Sequence, residues 1–278
     1  EDVTIRGRPG WAIACSACAL KYFGPQIDIH MWGEDLIFPH HQNEIAQTEA
    51  CTGKEFSKYW IHSGHLMVDG KKMSKSLRNF YTLRDLEEKF PEEKRLYRAV
   101  RLWFFNGKYR DQIDFSFGKL EQNIKTIENI DSHCKKLVRY MPEFSGVRPE
   151  FRDSMQDFMT RYIDALEDDF SFPEALWVFF DFQKYIVSEI SAWELTSDEQ
   201  KSMVDMYMSF NEVFDILNLD IFENPVEEVP EDILKKAKQR DKAKWEKNYE
   251  LSDTLRDEII ALWYSVSDTA EGTVVEKH

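Results

Sequence analysis

The chain has no apolar run near the roughly 20 residues that a membrane helix needs. Its longest candidate, Ala175 to Phe182, has the length of a core helix. Cysteine is scarce: Cys15, Cys18, Cys51 and Cys134 are scattered among 278 residues. That pattern excludes a disulfide framework and points to reduced thiols in a cytosolic compartment. No complete G-x-G-x-x-G or Walker-type loop occurs, so an ordinary dinucleotide or kinase site has no support. The first residues do not read as a secretory leader. Internal repeats and low-complexity tracts are missing. Basic residues are in deficit, with 36 Lys and Arg against 51 Asp and Glu and a net charge of −15. That balance discourages indiscriminate binding to nucleic acid. What is present is a packed globular chain, 42% hydrophobic and 14% aromatic, long enough for about two domains.

The charge is unevenly spread. Between Lys71 and Arg110 there are 12 basic and 5 acidic side chains. A basic island on an acidic body can receive a phosphate backbone. The same charges also suit an ordinary solvated helix face.

Residues 1–70 mix short apolar runs with loops. Ile27 to His30 alternates like a short strand, and Tyr59 to Met67 is aromatic and β-branched enough for another. Asn43 to Ala50 between them reads as helix, giving the strand–helix–strand rhythm of an α/β layer. Residues 71–116 begin with a polar, basic turn and become a charged helix. Residues 117–224 are expected to form an all-α bundle. Leu120, Ile124, Ile127, Cys134, Leu137 and Met141 fall at helical spacings, as do Met155, Phe158, Met159, Tyr162, Ile163 and Leu166. Ser171 and Glu174, with Pro173 between them, predict a helix start of the capping-box type. Val178, Phe179, Phe182, Tyr185 and Ile186 continue that helix. Met203, Met206, Tyr207, Phe210, Val213, Phe214 and Leu217 form a further stripe, read as bundle core. Asn224 to Pro230 is a Pro-rich acidic linker. Residues 231–278 hold one more helical segment, to Trp263, and a short tail.

Two groups of residues can do chemistry. His40 and Glu44 stand at i and i+4, on one helix face. With Cys15 they offer an imidazole, a carboxylate and a thiolate, all good zinc ligands. Taken alone, this spacing also occurs by chance, and Cys15 could be a buried core thiol. Cys15 and Cys18 also form a C-x-x-C, either a redox pair or half of a zinc site. The second group is Lys71-Lys72-Met73-Ser74-Lys75-Ser76, after a turn at Gly70. Such a mobile cationic loop can neutralise charge developing on a polyphosphate. A generic run of this kind would be an exposed turn.

Lys72-Met73-Ser74-Lys75-Ser76 reads KMSKS, and with it the chain resembles class I aminoacyl-tRNA synthetases. Gly7-Arg8-Pro9-Gly10-Trp11, Cys15-Ser16-Ala17, Asp28-Ile29-His30, Asp35 to His41 and Asn43 to Gln47 resemble the cysteinyl-tRNA synthetase family in particular. So do Asp168-Asp169-Phe170, Pro173-Glu174-Ala175, Leu251-Ser252-Asp253 and Leu255-Arg256-Asp257. The resemblance implies the second half of a class I Rossmann-type catalytic domain (1–70), carrying a zinc site. A signature-loop and stem-contact region (71–116), a helical bundle (117–224) and a small anticodon-binding region (231–278) follow it.

The resemblance further implies one zinc per chain, held by Cys15, His40 and Glu44 and binding the thiolate of the substrate L-cysteine. Trp11 and His41 would line the amino-acid pocket. His30 and Asp35 would sit near the adenylate. Lys72 and Lys75 would act catalytically on Mg-ATP, with Ser74 and Ser76 beside them. Arg78, Arg84, Arg98 and Arg101 would meet the tRNA acceptor arm. The implied activity is cytoplasmic cysteine–tRNA ligation in protein synthesis. The chain matches the C-terminal portion of such an enzyme, so an N-terminal half bearing the HIGH motif, in cis or in trans, is a further expected partner, and the isolated chain would be inactive without it.

Two departures stand out. The family's His-Gly-Gly-Gly run appears as His30-Met31-Trp32-Gly33, and its Trp-His-Ile-Glu-Cys run as Trp11-Ala12-Ile13-Ala14-Cys15. The first keeps open a non-catalytic paralogue, or one half of a split synthetase, that binds tRNA. A cysteine ligase of mycothiol synthesis is a further alternative, against which the segment beyond the bundle counts. Cys18 could stand in for a fourth zinc ligand.

Overall fold

The computed structural model describes residues 7–74, 76–192, 194–223, 230–245, 248–262, 264–269 and 272–277. Lys75 and residues 224–229 of the expected linker lie outside them.

Helix α1 (Ala12–Phe23) is rich in alanine and ends at Gly24, whose φ of 87° suits a residue without Cβ. Strand β1 (Ile27–Gly33) runs parallel to β2 (Ser57–Ser63), with Ile29 opposite Tyr59. Helix α2 (Gln42–Thr52) makes the crossover that parallel strands require. It ends at a left-handed Gly53. Among the described residues neither β1 nor β2 has a second strand neighbour, so both edges of this sheet are unpaired.

The strand expected from Tyr59 to Met67 is broken at Gly64. Its second piece, β3 (Leu66–Val68), joins another sheet, antiparallel to β4 (Lys71–Lys72) and parallel to β5 (Ile113–Phe115). The break is steric. A Cβ at Gly64 would lie 2.2 Å from the Asp111 carbonyl oxygen. Two helices stand where one charged helix is expected, α3 (Leu83–Lys89) and α4 (Leu96–Phe105). A capping box between Thr82 and Asp85 starts α3.

The bundle follows as α5 (Phe117–Arg139), α6 (Pro149–Glu167), α7 (Phe172–Ala192) and α8 (Ser197–Phe214). Leu120, Ile127, Phe158, Tyr162, Phe179, Phe182, Tyr207, Phe210 and Phe214 are buried. The rings meet edge to face, Tyr162 and Phe210 at 4.6 Å and Phe158 and Phe182 at 5.3 Å between centroids. Two stripe positions differ from expectation. Met141 lies past the end of α5 and is exposed, and Ile163 is partly exposed on α6. The helix start at Ser171 is present without its box. The Ser171 hydroxyl is buried and has no hydrogen-bond partner, while its carbonyl accepts from the Glu174 and Ala175 N–H groups. The box appears instead at Thr196 and Glu199.

The chain divides into two compact units. One comprises residues 1–133 with 142–217, and the other 134–141 with 218–278. In the second unit, α9 (Asp220–Glu223), α10 (Glu231–Trp245) and α11 (Tyr249–Ala261) precede a hairpin of β6 (Tyr264–Thr269) and β7 (Gly272–Lys277). Ile233, Ala237, Ile259, Tyr264 and Val275 make its core. The single expected helix is therefore two, and the tail is a hairpin. No described helix is long and apolar enough to cross a membrane.

Candidate functional site

Helix α1, strand β1, the turn 34–41 and helix α2 surround a cavity of about 640 Å³. Trp11, Cys15, His30, Met31, Trp32, His40, His41 and Glu44 are among its lining residues. Cys15 comes from the middle of α1, His30 from β1, His40 from the turn before α2 and Glu44 from the first turn of α2. The Phe38–Pro39 bond in the turn before α2 is cis.

Ligand atoms of Cys15, His40 and Glu44 lie within 4.8 Å of one another, and those of His30, His41 and Glu44 form a second such group. Glu44 is 2% exposed. Its Oε1 is 3.7 Å from His40 Nε2. Its Oε2 is 2.9 Å from His30 Nε2 in an orientation that makes no hydrogen bond, so a buried carboxylate oxygen is left without a donor. A buried carboxylate stripped of donors is costly unless a cation faces it. Burial, then the Glu44 carboxylate, pushes the Cys15 thiol above its ordinary value. Bound metal would reverse that bias. A thiol, an imidazole and an orphaned carboxylate oxygen form a donor set that fits zinc. Cys18 lines the same cavity but belongs to neither group.

Around this centre stands a cluster of rings that the sequence reading missed. His30 stacks on Trp60 at 4.7 Å, and His41 Nδ1 lies 2.8 Å from His62 Nε2. Burial, then the neighbouring histidines 30, 62 and 40, hold His41 down at about 4. The signal was available in β2. Trp60 and His62 stand two apart, hence on one face of the strand.

The signature hairpin is tied at its neck. Asn79 Nδ2 donates to the Lys72 carbonyl at 3.1 Å, and Ser74 N donates to Asn79 Oδ1 at 2.9 Å. The hydroxyls of Ser74 and Ser76 are 3.2 Å apart. Lys72 Nζ is 3.7 Å from Asp35 Oδ2, which brings the hairpin to the turn after β1. The second lysine, Lys75, lies outside the described residues.

The four arginines divide into two pairs. Arg78, in the left-handed region at φ 54°, and Arg84 on α3 are exposed. Arg98 makes two bonds to Asp131, of 2.7 and 2.8 Å, and one of 3.2 Å to the Ile216 carbonyl. Arg101 donates to the Phe214 carbonyl at 3.0 Å. Both hold carbonyls that follow or end α8, where no intrahelical donor remains.

The family model for the class I (C) tRNA synthetase catalytic domain matches residues 4–125. A cysteine–tRNA ligase of Caldicellulosiruptor saccharolyticus is 37% identical over 275 residues, which cover 98% of this chain and 57% of the relative. Those of Carboxydothermus hydrogenoformans and Chlamydia felis are 36% and 35% identical, each matched over 56% of its own length. The chain thus spans a little over half the length of the curated relatives it matches. A solved ternary complex of an Agrobacterium radiobacter LeuRS with tRNA and LeuAMS matches at a TM-score of 0.52. That match, at 16% identity over 68% of this chain and 25% of the other, concerns fold alone.

Proposed function

From a chain homologous to cysteine–tRNA ligases over 98% of its length, whose residues 4–125 belong to the class I (C) catalytic-domain family, we propose the second half of a cysteine–tRNA ligase. The intact protein would activate L-cysteine with ATP and pass it to the 3′ end of its tRNA. The observation that carries this reading is the convergence of a thiol, an imidazole and a buried carboxylate, from Cys15, His40 and Glu44, within 4.8 Å of one another in one cavity. These three residues would hold zinc. When bound, zinc supplies a Lewis acid that prefers thiolate to hydroxyl, which separates cysteine from serine where shape alone would do so weakly.

The chain's own residues do the rest. Trp11 walls the amino-acid pocket. His41, kept neutral and bonded to His62, fixes the imidazole orientation beneath it. His30 and Asp35 face the adenylate. Lys72 and Lys75 bring positive charge to the ATP phosphates, with Ser74 and Ser76 at the loop's tip. Exposed Arg78 and Arg84 meet the tRNA acceptor arm. The 218–278 unit, with its hairpin and basic α10, reads unstacked anticodon bases. A reduced, cytoplasmic setting suits cysteines that form no disulfide among the described residues.

One observation favours a second reading. Met31 and Trp32 line the site's cavity where the family resemblance expects glycines, and large side chains there would crowd a nucleotide. In that reading the chain binds tRNA without forming adenylate. Cysteine-dependent exchange of pyrophosphate into ATP by the intact protein separates the two. Exchange with cysteine that is absent with serine supports ligation. Absence of exchange with retained tRNA binding supports the second reading.

A further inference from the structure

Among the described residues of the signature hairpin, the Lys72 ammonium has two acceptors in reach, and one of them is a residue with no assigned part. Its Nζ lies 3.2 Å from His65 Nε2, as well as 3.7 Å from Asp35 Oδ2. An ammonium has three donors and no acceptor. His65 Nε2 must therefore accept, which puts the imidazole proton on Nδ1.

This pairing follows from sheet register. Met67 stands opposite Lys72 in the β3–β4 pair. His65 is two residues before Met67, so it lies diagonally across from Lys72 on the same face. The backbone beneath His65 is fixed on both sides. Gly64 N donates to the Tyr109 carbonyl at 2.8 Å, and Ile113 N donates to the His65 carbonyl at 3.2 Å. The 109–111 segment closes over Gly64 because no Cβ intervenes. That segment is anchored in turn. The Tyr109 hydroxyl reaches Asp169 at 2.8 Å, and Arg110 grips the same carboxylate at 2.6 and 3.0 Å. An imidazole on a pinned backbone therefore faces a lysine side chain that is 56% exposed and has many rotamers of its own.

We infer that His65 is a positioning residue for Lys72. Its neutral Nε2 and the Asp35 carboxylate form a two-point seat that holds the ammonium where the ATP phosphates take it over. This rests on the proposed ligase reading, in which Lys72 serves the phosphates. Pre-orienting one charge acts on the activation step rather than on cysteine binding.

The test uses the intact protein in two measurements. In pyrophosphate exchange, His65→Leu is expected to lower kcat roughly tenfold, the size of one lost hydrogen bond to a charged donor. KM for cysteine stays unchanged. His65→Gln, whose Oε1 can accept the same proton, recovers most of the rate. Combining Lys72→Ala with His65→Leu costs little beyond Lys72→Ala alone. Equal losses in the Leu and Gln variants, tracking their melting temperatures, would overturn the proposal. Independently of activity, nitrogen-15 spectra of the His65 ring should report the Nδ1–H tautomer and an Nε2 shift that moves in Lys72→Ala. The Nε2–H tautomer, or a shift indifferent to Lys72→Ala, would also overturn it. If the unaltered protein shows no cysteine-dependent exchange, the ligase reading fails, and the spectra still decide whether the seat exists.

Discussion

A single buried oxygen, Glu44 Oε2, marks the candidate site, because it has no hydrogen-bond partner among the described residues. Its environment makes sense if a cation completes it. Cys15→Ala, His40→Ala and Glu44→Gln should each lower bound zinc by an order of magnitude or more, measured by elemental analysis after gel filtration. Full zinc content in any of the three would remove that residue from the ligand set. His41 gives a pH signature. Its folded value near 4 lies below its ordinary 6.5, so the folded state resists a proton that the unfolded chain accepts. The stability it contributes is complete above about 6.5 and drains away as pH falls towards 4. Denaturant titrations of chelator-treated protein at pH 7 and 5 should differ, and His41→Asn should narrow the difference. At this scale the sequence was partly legible. Cys15, His40 and Glu44 were readable because i, i+4 spacing and ligand chemistry are local properties. Trp60 and His62 could be put on one strand face, but their place beside the site, like that of His65, could not be read, because it depends on which strand lies beside which.

Between elements, charge is used as a fastener. Arg148, just before α6, donates through its backbone and guanidinium to Glu199 at 2.8 to 3.3 Å, and also reaches Glu189 and Glu194. Glu199 is fully buried and closes the capping box of α8. Arg148→Leu would leave that carboxylate without its cation and should cost about 3 kcal/mol of unfolding free energy in urea. Thr196→Ala should cost about 1 kcal/mol by removing the cap. A loss below that for Arg148→Leu would mean that the N–H groups of the box satisfy Glu199 alone. The bundle helices themselves were legible from apolar spacing. Their caps were less so. Ser171-x-x-Glu174 has the pattern of a box but does not make one, because the Ser171 side chain is turned into a buried position. The turn before it bends through left-handed Asp169 and Phe170, and the Asp169 carboxylate is held there by the distant Arg110 and Tyr109.

For the whole molecule, the net charge of −15 and the basic island would make the proposed tRNA binding a contest that salt decides. Arg84→Ala and Arg78→Ala should each flatten the dependence of affinity on salt by about one unit of logarithmic slope. Arg98→Ala should instead appear first as lost stability, since its guanidinium holds buried Asp131. Filter binding at several salt concentrations, beside melting curves, separates the two effects. An unchanged slope for Arg84→Ala and Arg78→Ala would place the exposed arginines away from the nucleic acid. The number of units was foreshadowed by length. Their boundary was not, because the stretch 134–141 leaves the bundle sequence to join the distant 218–278 segment, a choice that only packing makes.

The bare edge of β1 has a consequence for handling. Among the described residues no strand pairs with its outer backbone groups, and Ile29, Met31 and Trp32 beside them are all more than half exposed. An unpaired strand with an oily face is a template for another copy of itself. As the chain is concentrated, light scattering should therefore rise from edge-to-edge association, and a lysine at Ile29 should suppress it.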